Sequence, residues 1–137
     1  MSAPFAPSAL LLVVVAILPA ADPVRILLWA DEFTIPGAPD PAVWGYEEGL
    51  VRNGEAQFYT RDRRENARVE DGCLVIEARK EAWEKGAQYT SASLTTEGRK
   101  PIRFGRVEIR AKLPSGRGMW PALWTLGSNI PTVGWPM

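Results

Sequence analysis

Hydrophobic and polar positions alternate most cleanly over residues 106–113, where Val107, Ile109, Ala111 and Leu113 interleave with Arg106, Glu108, Arg110 and Lys112. A period of two puts one set on each side of a pleated chain, so this stretch predicts a half-buried strand with one wet face. Residues 73–79 show a shorter version, with Leu74, Ile76 and Ala78 facing one way and Val75, Glu77 and Arg79 the other. Cys73 opens that run, and a small buried hydrophobe is the reading its neighbours favour over a reactive thiol. Residues 89–96 (YTSASLTT) are rich in β-formers and hydroxyl groups. Residues 119–126 (MWPALWTL) are apolar on both faces and predict a central strand of a packed sandwich, although Pro121 cannot donate to a ladder there.

Turn chemistry separates these runs. Residues 34–41 hold three prolines and a glycine; Glu70-Asp71-Gly72 and Pro114-Ser115-Gly116-Arg117-Gly118 punctuate the chain further on. Residues 81–86 are polar and read as a helical turn or a loop, and residues 43–60 mix aromatics with Gly and Asn without a clear period. No heptad, long helical period or internal repeat is visible. Short strands at regular spacing with turns between them make an all-β sandwich or barrel.

Residues 9–18 (ALLLVVVAIL) depart from this pattern as an unbroken apolar run of ten residues, too short for a stable membrane span of about twenty. Followed by Pro19-Ala20-Ala21-Asp22, the run reads as the core of a signal peptide over residues 1–21, which predicts a secreted protein, extracellular or periplasmic. Lys plus Arg and Asp plus Glu number 16 each, and this balance argues against nucleic acid or an anionic membrane surface as partner. There is no histidine, which excludes a Ser-His-Asp triad, a Cys-His pair and His-based zinc sites within these residues. Acid–base chemistry would fall to carboxylates, Tyr, Lys or the single Cys73.

Seven short blocks occur in order across residues 29–136: Trp29-Ala30-Asp31-Glu32-Phe33, Asn53-Gly54-Glu55-Ala56-Gln57-Phe58-Tyr59-Thr60, Asn66-Ala67-Arg68-Val69-Glu70-Asp71-Gly72, Tyr89-Thr90-Ser91-Ala92, Phe104-Gly105-Arg106-Val107-Glu108 leading to Lys112-Leu113-Pro114, Trp120-Pro121-Ala122-Leu123-Trp124, and Val133-Gly134-Trp135-Pro136. In this order and spacing, residues 22–137 resemble the N-terminal part of the laminarinase branch of family 16 glycoside hydrolases. The resemblance implies a concanavalin-like jelly-roll β-sandwich, here roughly its N-terminal half. It also implies retaining hydrolysis of internal β-1,3-glucan or mixed-linkage β-glucan bonds. Retention needs a nucleophilic carboxylate and an acid/base carboxyl about 5–5.5 Å apart. The family supplies them from Glu-x-Asp-x-x-Glu just after a Gly-Trp-Pro block, and no such motif occurs in residues 1–137. The acidic pairs Asp31/Glu32, Glu47/Glu48 and Glu70/Asp71 are adjacent, so in an extended chain they point to opposite faces and cannot clamp one bond. No catalytic residue is therefore named, the carboxylates being expected just beyond Met137. The chain is expected to be inactive alone, with a non-catalytic β-glucan-binding module as the alternative.

Substrate contacts are better represented. Trp120 and Trp124 would lie on one strand face about 13 Å apart, either stacking on pyranose rings or packing in the core. Trp135 flanks the expected motif. Asn53, Glu55 and Gln57 would share a face if extended; the resemblance implies Asn53 as a substrate contact, while Glu55 could orient its neighbours. Ser93 departs from family members that carry Arg at this position, which removes one charged sugar contact. Arg106 and Arg110 read as structural partners of Glu108 or a neighbouring strand. No cofactor is required, but the resemblance implies a structural calcium held partly by backbone carbonyls that correspond to Glu32 and Gly72.

Overall fold

The computed structural model describes residues 25–134, and the chain divides into two units, residues 1–30 and 31–137. The apolar run expected to direct export lies outside the described residues, as does Trp135. In the first unit, residues 25–30 have no assigned strand or helix; Ile26, Leu27 and Leu28 are exposed and Trp29 is half-buried.

The regular structure of the second unit is almost wholly short strands, all within residues 45–95: β1 (Gly45–Glu47), β2 (Gln57–Tyr59), β3 (Ala67–Glu70), β4 (Cys73–Ile76), β5 (Arg79–Lys80), β6 (Tyr89–Ser91) and β7 (Ser93–Thr95). Helical structure among the described residues is confined to a 3-10 turn at Glu84–Gly86 and one α-helical turn, Ile130–Val133. β1 pairs antiparallel with β7, β2 runs parallel to β6, β5 pairs antiparallel with β6, and β3 and β4 form a hairpin. The strands thus make three small sheets, β1–β7, β2–β6–β5 and β3–β4, and a reciprocal pair of backbone hydrogen bonds of 2.9 Å between Gly49, just past β1, and Tyr59 of β2 bridges the first two.

Local sequence explains the breaks. Asp71 and Gly72 both have positive φ (51° and 69°), which closes β3 onto β4 through a two-residue loop with Glu70 opposite Cys73. This is the twist-compatible hairpin turn, and Asp-Gly is among the few dipeptides that adopt it cheaply. Residues 73–80, expected as one strand, change partner: β4 pairs with β3 and β5 pairs with β6. Residues 89–96 divide at the buried Ala92 for the same reason, β6 joining β2 and β7 joining β1.

The core is small and partly polar. Phe58, Ala67, Val69, Ala87 and Ala92 are buried, and Asn66 and Thr90 are 0% exposed. Asn66 is fully engaged. Its Oδ1 accepts from Thr60 Oγ1 at 2.9 Å and Arg63 Nη1 at 2.8 Å, while its Nδ2 donates to the Glu77 carbonyl and to Thr90 Oγ1 at 3.0 Å each. Thr90 in turn donates to Glu81, whose carboxylate also pairs with Arg63 at 2.7 Å. Burying a polar cluster is tolerable only when its members find partners, and Asn66, Thr60 and Thr90 do. The Arg63 guanidinium lies 4.6 Å from the Trp83 ring centre, closing one side of the cluster.

Three expectations fail. Residues 106–113 form no strand, and Val107, Ile109 and Leu113 are exposed. Alternation identifies a face that could be buried, but a strand also needs a neighbouring backbone, and no described segment hydrogen-bonds to this one. Residues 119–126 are likewise unpaired, with Met119, Trp120, Leu123, Trp124 and Leu126 exposed rather than central. Cys73 is exposed, because it follows the hairpin turn directly and projects from the tip of β3–β4.

Candidate functional site

Register decides which side chains share a surface. Partners across a ladder project to the same side, and so do residues two apart along a strand. Glu47 is paired with Ser93, Tyr59 with Ser91, and Gly49 with Tyr59, so Glu47, Gln57, Tyr59, Ser91 and Ser93 all project from one face. Tyr89, opposite Gln57, shares this side and is 40% exposed, so the face is a row of hydrogen-bonding groups with a further aromatic ring among them.

The connection between β1 and β2 adds to it. Asn53 and Gly54 both have positive φ (57° and 63°), and the Glu55 amide closes the turn on the Arg52 carbonyl at 3.1 Å. This Asn-Gly turn brings Arg52 and Glu55 to its two sides. Arg52 ion-pairs with Glu47, and Glu47 also accepts from Ser93 Oγ. Glu55 Oε2 accepts from Gln57 Nε2 and from Tyr59 OH, each at 2.8 Å, and Gln57 also donates to Tyr59 OH at 2.8 Å. Glu55 therefore orients its neighbours, one of the two roles its spacing allowed. Asn53 does not join Glu55 and Gln57 on a strand face, because its left-handed backbone makes it the exposed corner of a turn.

Electrostatics follow from these contacts. Burial pushes the Glu47 carboxyl up, but hydrogen bonds from Arg52 and Ser93 together with the Arg52 charge outweigh it and hold Glu47 below the usual carboxylate range. The Arg52 guanidinium is raised, chiefly by its bond to Glu47. Burial, then the hydrogen bond to Glu55, raises the Tyr59 phenol, so it stays a protonated donor at neutral pH.

Trp124 stands at this face: the Arg52 guanidinium lies 5.1 Å from its ring centre, and the residue is 50% exposed. Trp120 is 91% exposed. The two indoles were expected on one face of a strand; with no strand there, only Trp124 is joined to the polar row by a recorded contact, and neither is core. Arg106 pairs with Glu108 in solvent, as its spacing implied.

The acidic pairs behave as structural groups. Asp31 Oδ1 accepts from the Phe33 amide at 3.0 Å and its Oδ2 from Trp44 Nε1 at 2.8 Å. Glu47 and Glu48 point apart, the first to Arg52 and the second to Arg61 at 2.8 Å. Glu70 binds Arg68 at 2.8 Å, and Asp71 is a turn residue. Glu32 is exposed, and Gly72 occupies the exposed hairpin tip. Among the described residues no three His, Cys, Asp or Glu side chains converge to hold a metal ion; Gly72 could offer only its carbonyl oxygen, and Glu32 its carbonyl and an exposed carboxylate.

The reverse face of β2 carries Phe58 and Thr60 and opens on a cleft of about 140 Å³ lined also by Arg61, Arg63, Trp83 and Glu84. Small-molecule sites run about 300–1,000 Å³, so this cleft is too small for an oligosaccharide. Arg52, Glu47 and Tyr59 were missed by sequence reasoning. The Asn53-Gly54 dipeptide, a strong hairpin signal, could have exposed the first by placing Arg52 beside Glu55.

A sheet face of amide, carboxylate, phenol and hydroxyl groups with an indole at hand suits a neutral, hydroxyl-rich ligand, the chemistry of the carbohydrate-active β-sandwich class that the comparisons indicate. The chain belongs to the glycosyl hydrolases family 16, whose family model matches residues 54–133. It is 56% identical over 102 residues to a β-glucanase of Rhodothermus marinus, an alignment covering 73% of this chain and 35% of that protein. The catalytic domain of an endo-1,3-β-glucanase (laminarinase) from Thermotoga petrophila RKU-1 superposes with a TM-score of 0.73 at 52% identity, over 81% of this chain and 47% of that one. A non-specific endo-β-1,3(4)-glucanase of family 16, co-crystallised with 1,3-β-D-cellobiosyl-cellobiose, superposes with a TM-score of 0.76 at 47% identity, over 81% of this chain and 48% of that one. The chain thus spans less than half the length of the relatives it matches. Its all-β strands are those of the jelly-roll laminarinases.

Proposed function

We propose that this chain carries the glucan-binding face of an endo-β-1,3-glucanase domain that hydrolyses β-glucan with retention. The observation that supports this most is the single polar face made by Glu47, Arg52, Glu55, Gln57, Tyr59 and Ser93 beside the half-exposed Trp124. A pyranose presents hydroxyls at its edge and C–H groups on its face, and such a surface offers donors and acceptors to the first and an indole to the second. The substrate class is β-1,3-glucan, with mixed-linkage β-glucan as the finer reading.

Hydrolysis requires two carboxyls flanking the bond. The carboxylates on this face are already committed, Glu47 to Arg52 and Ser93, Glu55 to Gln57 and Tyr59. Residues 1–137 by themselves are therefore proposed to bind glucan without cutting it, which is also the behaviour of a non-catalytic binding module. Asn53, Trp120, Trp124 and Trp135 are proposed contacts. Export is supported by the apolar run at residues 9–18; no helix among the described residues is long and apolar enough to cross a membrane. A structural calcium on the carbonyls of Glu32 and Gly72 is an accessory proposal, supported by the preference of that ion for oxygen donors. It is tested by terbium luminescence, and an absence of calcium-displaceable signal refutes it.

Affinity electrophoresis of the chain through laminarin, with a reducing-sugar assay on the same samples, tests the main reading. Retardation without sugar release is expected. Mobility indifferent to laminarin overturns the binding face, and release of reducing sugar overturns the assignment of hydrolysis to carboxylates outside these residues.

A further inference from the structure

We propose that Asn53 is a site of spontaneous covalent modification, its amide lost through a cyclic imide with the Gly54 nitrogen, and that the acidic product weakens the polar face; the second half rests on the glucan-binding reading above. The chemistry needs no partner but water. The Gly54 backbone nitrogen bonds to Asn53 Cγ, and the side-chain nitrogen leaves as ammonia, carrying the proton that the Gly54 nitrogen sheds. Water then opens the five-membered imide at one of its two carbonyls. One opening restores the main chain with aspartate, and the other routes it through the side chain as isoaspartate. Nothing is oxidised or reduced.

The structure selects Asn53 over the other asparagines, Asn66 and Asn129, through the nitrogen that must attack. The Ala67 amide, which follows Asn66, donates to the Arg63 carbonyl at 2.9 Å, and the Ile130 amide, which follows Asn129, donates to the Gly127 carbonyl at 3.0 Å. Asn66 is also wholly buried with its side-chain amide engaged. By contrast, no hydrogen bond among the described residues holds the Gly54 N–H or the Asn53 side chain, and both residues are exposed. A Cβ at Gly54 would meet nothing within 4 Å, so no neighbour crowds the ring that has to form. The left-handed turn must open to bring the Gly54 nitrogen to Cγ, and a single backbone hydrogen bond of 3.1 Å, from the Glu55 amide to the Arg52 carbonyl, closes it. Exposed turns held so lightly sit at the low end of local stability. The product differs in kind from the amide. A carboxylate accepts but cannot donate, and it competes with Glu47 for the adjacent Arg52. Isoaspartate also adds one carbon to the main chain inside the turn that sets Arg52 against Glu47 and Glu55 against Gln57 and Tyr59.

The test incubates the full chain at neutral pH, native and in denaturant, and follows each asparagine by peptide mapping, with chromatography separating aspartyl from isoaspartyl peptides. Native Asn53 is expected to convert within about tenfold of its rate in denaturant, since one turn hydrogen bond has to open, while Asn66 and Asn129 stay unconverted over the same period. A greater slowing of Asn53, or conversion of Asn66 or Asn129 as fast as Asn53, overturns the modification site. Fresh and converted chains are then compared by affinity electrophoresis on laminarin, relative to gels without it, with Asn53→Gln aged in parallel. The converted chain is expected to bind at least about threefold more weakly than the fresh one, as loss of a hydrogen-bond donor would give. Equal retardation of fresh and converted chains, or the same loss on ageing Asn53→Gln, overturns the weakening alone. A fresh chain that laminarin does not retard sinks the glucan reading and the weakening with it, while the peptide map still decides the modification.

Discussion

Replacing Asn66 by Ala should loosen the sheet around β3 and β6 more than any other single polar substitution in this unit. Asn66 is wholly buried, and its four hydrogen bonds reach Thr60, Arg63, the Glu77 carbonyl and Thr90. Each is worth about 1 kcal/mol net, more where a charged donor takes part, so removing the amide costs about 4 kcal/mol. At tenfold per 1.4 kcal/mol this is nearly three orders of magnitude in an opening equilibrium, limited by the protection the parent possesses. Hydrogen–deuterium exchange followed by mass spectrometry on Ala67–Glu70 and Tyr89–Ser91 reads it directly. Protection should fall in both strands together, because Asn66 joins the end of β3 to Thr90 in the middle of β6. Asn66→Ala with protection within tenfold of the parent in both strands would refute the view that this amide is the hub, and would mean that water replaces it without penalty.

Three further outcomes follow from particular contacts. Glu81 has its pKa held down to about 2, first by the hydrogen bond from Arg63 and then by that from Thr90. A depressed carboxyl contributes stability that is present above its unfolded value near 4.3 and lost as pH falls toward about 2. NMR signals of the Arg63 side chain and the Trp83 indole should therefore shift across that window, and constancy down to pH 2 would contradict the pairing. Gly72→Ala adds a Cβ that meets nothing within 4 Å yet must adopt φ of 69°, so it should cost about 1–2 kcal/mol through the backbone alone. Faster exchange confined to β3 and β4 is the readout, and an unchanged hairpin would argue against the turn. Trp124→Ala should weaken laminarin retardation more than Trp120→Ala, because only the Trp124 ring is held in place by Arg52; equal effects would separate Trp124 from the polar face.

Much of this protein was legible along the chain. Glu70-Asp71-Gly72 marked a turn, because positive φ restricts composition strongly, and strand pairing then made it the tip of the β3–β4 hairpin. The alternation of residues 73–79 and the hydroxyl-rich run at 89–96 marked strands correctly in kind. The family emerged from ordered short blocks, and the lack of Glu-x-Asp-x-x-Glu is a property of the sequence itself. Periodicity describes one segment's two faces and carries no information about which backbone lies beside it. Hence residues 106–113 show the clearest strand pattern in the chain and still pair with no described segment, and residues 73–80 and 89–96 change partners where the pattern runs on unbroken.

The candidate face belongs to the tertiary structure for the same reason. Glu47, Arg52, Tyr59 and Ser93 are spread over nearly fifty residues of chain, and their meeting depends on ladder register and on the handedness of the Asn53-Gly54 turn. Composition alone excluded histidine-based triads and zinc sites within these residues and left acid–base chemistry to carboxylates, Tyr, Lys or Cys73. Which of those groups share one surface was decided only by strand pairing, since pairing fixes the side to which every second residue points.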